Sequence, residues 1–434
     1  MVFRACVLLG GLVLLALPLF AAQPVYDAAV FYPVGDAPTG IVCFDFNNDG
    51  FLDLATADSA SNAVSILINN GAGAFLEAVT YTAGEAPIDI AAGDLNSDNY
   101  ADLVVADRFA DMLSVLWNGG DGTFTSQTEI PVHSGVCAVA VTQLTDGGSD
   151  IIVSQDLSRV VSIVRSNGDG TFQAPVDHPV RWTPSGICTA DFNLDGYTDF
   201  AVGSYEYATY IFRNDGAGSF PDVEENRLGS GATDLAAGDF NGNEYADLVL
   251  ARVTEGMPVV CMLNTDGLFQ FSSSGPWIPN KPNSVVAADL NADGYDDLAF
   301  ADVEVGAVRI LVNLRKEHFS FRTLTASFTG DKPRAIAYGD FDLDGDLDLA
   351  VANSGSNDVA VLTNYFCGDL NGDHTVDLGD ITEMIEFVYL GGKLSVIRQA
   401  ANTDSSTDGE ITLADITGLI SHVYLGGGEP MCSQ

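Results

Sequence analysis

Basic side chains are scarce in this 434-residue sequence: 17 Lys and Arg stand against 60 Asp and Glu, a formal charge of -43 at pH 7. So negative a chain is excluded from binding nucleic-acid backbones, which demand clustered Lys and Arg. Familiar catalytic signatures are missing too. There is no H-E-x-x-H, no G-x-S-x-G and no Gly-rich phosphate loop. His133, His178, His318, His374 and His422 are scattered without ligand spacing, so no catalytic residue is assigned. Beyond residue 22 no apolar run is long enough to cross a bilayer. Cysteine is sparse after that point. Cys43, Cys137, Cys188 and Cys261 fall in apolar strands, where free buried thiols are expected. Cys367 and Cys432 bracket the C-terminal segment and either clasp its ends or stay free.

What is present begins with a leader. Arg4 precedes an apolar run over residues 5–20, and Ala21 and Ala22 follow. A signal peptide over 1–22, cleaved near Gln23, is the expectation, with a membrane anchor as the alternative. The mature chain is then expected to be secreted, extracellular or at the cell surface, with no transmembrane segment.

The dominant pattern is a repeat. Six blocks share the grammar D-x-[DN]-x-[DN]-x-x-x-D between apolar runs, starting at Asp45, Asp94, Asp191, Asp239, Asp289 and Asp340. Residues 45–57 read DFNNDGFLDLATA; residues 340–352 read DFDLDGDLDLAVA. Starts recur every 48 to 51 residues, except for one 97-residue gap that a degenerate unit fills at 139–154. That makes seven units. Each carries short apolar and β-branched runs bounded by Gly, Asn and Asp, with hairpin turns such as NGGDGTF at 118–124. Four short strands per unit, repeated seven times, predict a mainly β chain: a seven-bladed β-propeller. A strand over 28–34 precedes the first block, and the last unit stops at 364 without a fourth strand. The N-terminal strand is therefore expected to complete the seventh blade and remove an open sheet edge.

The acids follow the demands of a hard cation. Calcium takes six to eight oxygens at about 2.3–2.6 Å. Side-chain oxygens at positions 1, 3, 5 and 9 of a tight loop, with a carbonyl at position 7, converge on one centre. Unit 1 offers Asp45, Asn47, Asp49 and Asp53; unit 2 offers Asp94, Asn96, Asp98 and Asp102. Unit 4 offers Asp191, Asn193, Asp195 and Asp199, and unit 6 offers Asp289, Asn291, Asp293 and Asp297. Unit 7 is the most acidic, with Asp340, Asp342, Asp344 and Asp348. Unit 5 has Asp239, Asn241, Asn243 and Asp247, with Glu244 where Gly50 makes the turn in unit 1. Unit 3 lacks the spacing and is expected to bind nothing. A single such loop could equally be an Asx-turn without metal; recurrence in register points to several structural Ca2+ sites, with magnesium the poorer fit.

A second pattern is duplicated in the C-terminal segment. Residues 367–392 offer Asp369, Asn371, Asp373, Asp377 and Asp380 at loop positions 1, 3, 5, 9 and 12. Residues 403–427 offer Asp404, Ser406, Asp408, Thr412 and Asp415. Each loop runs into an amphipathic helix, carrying Ile381, Met384, Ile385 and Val388 or Ile416, Leu419, Ile420 and Val423, which is half an EF-hand. The eight loops use 25 of the 60 acidic residues, and eight ions would move the charge from -43 to about -27.

The propeller units resemble FG-GAP (VCBS) repeats, as in integrin α-subunit propellers, over about residues 28–364; the name-giving residues stand at Phe31, Gly35, Ala37 and Pro38. The C-terminal pair resembles a type I dockerin, which implies docking to a cohesin-like or cell-surface protein. The hydroxyl pair common at dockerin loop positions 10 and 11 is replaced by Leu378-Gly379 and Leu413-Ala414. The expected organisation is a signal peptide at 1–22, the propeller at 23–365, and a small all-α calcium-binding domain at 366–434. The expected role is a noncatalytic binding or adhesion module for a glycan or protein ligand. A polysaccharide-degrading propeller lyase or hydrolase, attached through the dockerin, and a structural surface component are the alternatives. Trp117, Trp182, Trp277, Tyr205, Tyr207 and Tyr210 either line a sugar-binding surface or pack inside.

Overall fold

The computed structural model describes residues 24–145, 148–227, 231–252, 259–272, 282–314, 321–324 and 327–366. Residues 1–23, Trp277, and everything from Cys367 onward, including both C-terminal calcium loops and Cys432, lie outside the described residues.

Burial along the strands follows their chemistry. In unit 1 the second strand, Asp53–Asp58, and the third, Ala63–Leu67, are buried at every position. The fourth, Val79–Thr82, faces water at most of its positions. Continuous apolar runs thus fill the middle of a sheet covered on both faces, and polar alternation marks the rim. Seven four-stranded antiparallel sheets result, blade 6 carrying one extra short segment at Ser327–Phe328. Their first strands are Pro38–Phe44, Pro87–Gly93, Val136–Thr145, Pro184–Ala190, Ala232–Gly238, Pro282–Ala288 and Pro333–Gly339. These lie side by side in a closed ring around the axis. Each opens with a register shift against the second strand, a bulge that re-aims the chain as it turns inward.

Between blades sits one large apolar residue per unit, at loop position 2. Phe46, Leu95, Leu144, Phe192, Phe240, Leu290 and Phe341 are each 2% exposed or less. Even the degenerate third unit keeps this anchor.

The ring closes as the sequence led us to expect. Val30–Pro33 is the fourth strand of blade 7, pairing antiparallel with Asp358–Leu362; Val30 lies opposite Val361 and Pro33 opposite Asp358. A second tie was not anticipated. Pro24–Tyr26 pairs with Asn364–Phe366, so both ends of the described chain meet in one two-stranded sheet. The four described cysteines are free, but only Cys261 is fully buried; Cys43, Cys137 and Cys188, on first strands near the axis, are half-buried, which corrects the expectation for those three.

Candidate metal centres

The repeat loops join the first strand of a blade to its second, so six of them stand at one end of six blades. Their local geometry follows from Asp, Asn and Gly. In every loop the position 1 carboxylate accepts two backbone amides, those of positions 5 and 6. In unit 1 Asp45 accepts from Asp49 N at 3.1 Å and Gly50 N at 2.9 Å; in unit 7 Asp340 accepts from Asp344 N at 3.1 Å and Gly345 N at 3.0 Å. Positions 4 and 6 are both left-handed: Asn48 and Gly50, Ser97 and Asn99, Leu194 and Gly196, Gly242 and Glu244, Ala292 and Gly294, Leu343 and Gly345. The turn at position 6 was foreseen; the one at position 4 was not, because Leu194 and Leu343 give no sign of it. A side chain such as Leu or Glu in this region is strained by about 1–3 kcal/mol, and the surrounding bonds must hold it.

Position 9 has a double role. Asp53, Asp102, Asp199, Asp247, Asp297 and Asp348 are fully buried. One oxygen of each accepts the backbone N–H of an Asn at or just beyond the end of the third strand, at 2.6 to 3.0 Å: Asn69, Asn118, Asn214, Asn264, Asn313 and Asn364. Except in unit 6, the other accepts the N–H of position 2, as Phe46 N donates to Asp53 at 3.0 Å. In unit 6 the Leu290 N–H still eases the charge on Asp297, but the buried Oδ2 makes no hydrogen bond of good geometry. Burial, opposed by the amide hydrogen bonds and reinforced by the neighbouring loop carboxylates, pushes Asp53, Asp102 and Asp199 up to about 6, Asp247 to about 7, and Asp297 and Asp348 to about 8.

These residues fit a hard cation. Among the described residues, Asp340, Asp342 and Asp348 bring carboxylate oxygens within 4.8 Å of one another. Oxygens about 2.3–2.6 Å from one calcium ion lie no more than about 5 Å apart. The donor set is all oxygen, the weakly bonded Asp297 oxygen wants a partner, and the raised acids want a positive neighbour. Unit 5 departs. Its Asn241 amide turns onto Asp247 at 2.9 Å, whereas Asn47 bonds Asp49 at 3.0 Å, and Asn243 donates to Asn264 O at 2.9 Å. Its loop thus closes on itself through neutral amides.

Unit 3 solves the same problem without an ion. Asp150, 2% exposed, occupies the place of position 9 and accepts Ser166 N at 3.0 Å. Its other oxygen takes Arg165 Nη1 at 2.7 Å, and Arg165 also donates to Gly218 O in blade 4. A guanidinium supplies the positive partner of this buried acid. Arg165→Met leaves Asp150 buried and uncompensated, an expected loss of about 3–5 kcal/mol. The double variant Asp150→Asn, Arg165→Met should recover part of it. Thermal unfolding checks this; equal melting of wild type and Arg165→Met would refute the assignment.

These asparagines do more than cap position 9. Each reaches back to the position 2 carbonyl of the preceding blade: Asn118 to Phe46, Asn214 to Leu144, Asn264 to Phe192, Asn313 to Phe240, Asn364 to Leu290 and Asn69 to Phe341, at 2.7 to 3.0 Å. Ser166 supplies the seventh link, to Leu95 O at 2.6 Å. One such bond joins each neighbouring pair of blades, and the residue that makes it is tied through its own N–H to the buried acid of its blade.

A second set of buried acids lies at the far end of the second strands. Asp58 and Asp107 accept Ser65 and Ser114 hydroxyls at 2.6 Å, and burial pushes both up to about 6, with Asp36 and Glu129 adding repulsion. Blades 3 and 7 put neutral Gln155 and Asn353 there. A raised carboxyl binds its proton more tightly when folded, so its contribution is complete below about pH 4 and is lost as pH climbs through 6. From pH 5 to pH 8, in saturating calcium, Asp58→Asn should gain on wild type by about 1.4 kcal/mol. A pH-independent difference in unfolding free energy would refute this.

The aromatic expectations divide. Tyr210 is buried, and half-buried Trp117 stacks on Phe172. Internal packing fails as an account of Tyr205 and Tyr207, which are 44% and 58% exposed.

Among solved structures, two crystal structures of BBS1N in complex with ARL6DN, one soaked with mercury and one with lead, share this fold. They match at TM-scores of 0.56 and 0.54, with 14% and 15% identity, over 79% and 80% of this chain and 97% of theirs. No curated protein matches. Residues 367–424 match the dockerin type I domain. Residues 45–105, 145–202, 191–250, 239–300 and 289–351 match the FG-GAP-like repeat, and with more than half its length so matched the chain belongs to the FG-GAP-like repeat family.

Proposed function

We propose that the chain is a secreted, calcium-loaded binding protein whose propeller presents a ligand face and whose dockerin module ties it to a cohesin-like partner. The observation that supports the reading most is the sixfold loop at one end of the blades, with its acids woven into the inter-blade hydrogen bonds. Such acids serve a scaffold. Positions 1, 3, 5 and 9 of units 1, 2, 4, 6 and 7 would hold Ca2+, unit 5 more weakly, and the C-terminal loops from Asp369 and Asp404 would do the same for the docking module. When bound, the ion supplies charge neutralisation. The dockerin match supports a protein partner outside the cell.

A glycan array with and without EDTA, a cohesin pull-down and a reducing-end assay test this together. Calcium-dependent retention of ligand, with no reducing ends released, is the expected result. Release of reducing ends would replace this reading with a polysaccharide-degrading one.

A further inference from the structure

Three neighbouring loops are joined by one line of hydrogen bonds. Asp102 of unit 2 accepts Asn118 N at 3.0 Å, and the Asn118 side chain donates to Phe46 O of unit 1 at 2.8 Å. Phe46 in turn donates its own N–H to Asp53 at 3.0 Å. Asp53 also accepts Asn69 N at 2.8 Å, and the Asn69 side chain donates to Phe341 O of unit 7 at 2.7 Å. Phe341 N closes the line on Asp348 at 2.9 Å. Every residue in it is at most 6% exposed, so water does not compete for these bonds.

The line ends on both sides. Beyond unit 2, Ser166 carries it from Leu95 O only to Asp150, whose partner is Arg165. Before unit 7, Asn364 reaches Leu290 O at 3.0 Å, but Oδ2 of Asp297 makes no hydrogen bond of good geometry. Units 7, 1 and 2 therefore form one arc. Units 4 to 6 form another, and its middle loop, unit 5, is the one that closes on itself through neutral amides.

Each loop of the first arc has two states that an ion would distinguish. Its position 1 carboxylate gathers the amides of positions 5 and 6, and its position 4 residue, Asn48, Ser97 or Leu343, is left-handed. Such a backbone holds only while its surroundings hold it. Without a cation the loop carboxylates repel one another, and the turn loosens. Loosening moves the position 2 peptide and the position 9 carboxylate, the two groups tied to the next blade. An ion in one loop fixes both, so the neighbouring loop has less order to gain when its own ion arrives. Direct repulsion between bound ions acts the other way, and salt screens it beyond about 8 Å.

We propose that units 7, 1 and 2 take up calcium cooperatively, each ion raising the affinity of the loop beside it through Asn69 and Asn118, while unit 4, across the Arg165 break, fills independently. The proposal rests on the calcium occupancy proposed above and adds a coupling to it. Blade 7 also holds the N-terminal strand, so the loops that fill together belong to the part of the ring where the chain closes it.

Hydrogen exchange with mass spectrometry, on the full chain across a calcium titration in about 0.15 M salt, reads each loop through its own peptides. Asp49→Ala disables unit 1. The calcium midpoints for protection of residues 94–102 and 340–348 should then rise about fivefold or more, and that of 191–199 should stay where it is. In an Asn118→Ala background, Asp49→Ala should still shift 340–348 but no longer 94–102. Asn69→Ala is the mirror test, sparing 340–348 and leaving 94–102 responsive. Unmoved neighbours, an equal shift at 191–199, or a shift at 94–102 that survives Asn118→Ala overturns the coupling while the calcium sites stand. Absence of calcium protection in every loop overturns both.

Discussion

Chelating calcium with EDTA is expected to lower the melting temperature of the propeller by roughly 20 °C. Six loops, each held at a hundredfold its dissociation constant, contribute about 2.7 kcal/mol apiece and about 16 kcal/mol together. Unfolding the span from Pro24 to Phe366 releases about 0.7 kcal/mol/K. Two features favour an effect of this size. Asp340, Asp342 and Asp348 crowd their oxygens within 4.8 Å, and the buried acids at position 9 are raised by desolvation and by their loop neighbours. Without a cation those charges repel, or protons must replace the ion. Scanning calorimetry in EDTA and in excess calcium is the measurement. Superimposable transitions would show that the loops are Asx-turns and nothing more.

Deleting residues 23–36 is expected to cost about 8 kcal/mol, or about 10 °C on the same entropy. The deletion strips the fourth strand from blade 7 and leaves the Asp358–Leu362 edge open. It also removes Tyr32 and Val34 from the cluster between blades 7 and 1, where Tyr32 meets Phe75 edge-on with ring centroids 5.4 Å apart. An open apolar edge invites pairing with other chains, so the truncated protein should aggregate as it warms. A synthetic peptide of residues 24–36 should restore part of the loss in trans. An unchanged melting temperature in the truncated protein would mean that the ring is held by its other interfaces alone.

The period, the strand count and the borrowed strand at 30–33 could all be read from residue order, because each blade repeats one local pattern. Loop positions 1, 3, 5 and 9 were legible for the same reason. What escaped depends on neighbours far away in sequence. Asp53 reads as a ligand, yet it is also the post to which Phe46 and Asn69 are tied. The latch from Asn118 to Phe46 spans 72 residues; its only trace is an Asn recurring 23 to 25 residues after the first Asp of each loop-bearing unit. Arg165 could not be identified as a built-in cation until folding placed it on Asp150. Tyr205 and Tyr207 resemble core residues in composition, and only the turn geometry exposes them.

The small sheet formed by Pro24–Tyr26 and Asn364–Phe366 bears on mechanics. A chain anchored through residues beyond 366 would be pulled at Phe366, and its backbone neighbour there is Pro24. Tension would meet three cross-strand pairs first, and then blade 7, whose outer strand comes from the same N-terminal segment. Drag on a tethered molecule would therefore have to open these three pairs before it reached any blade.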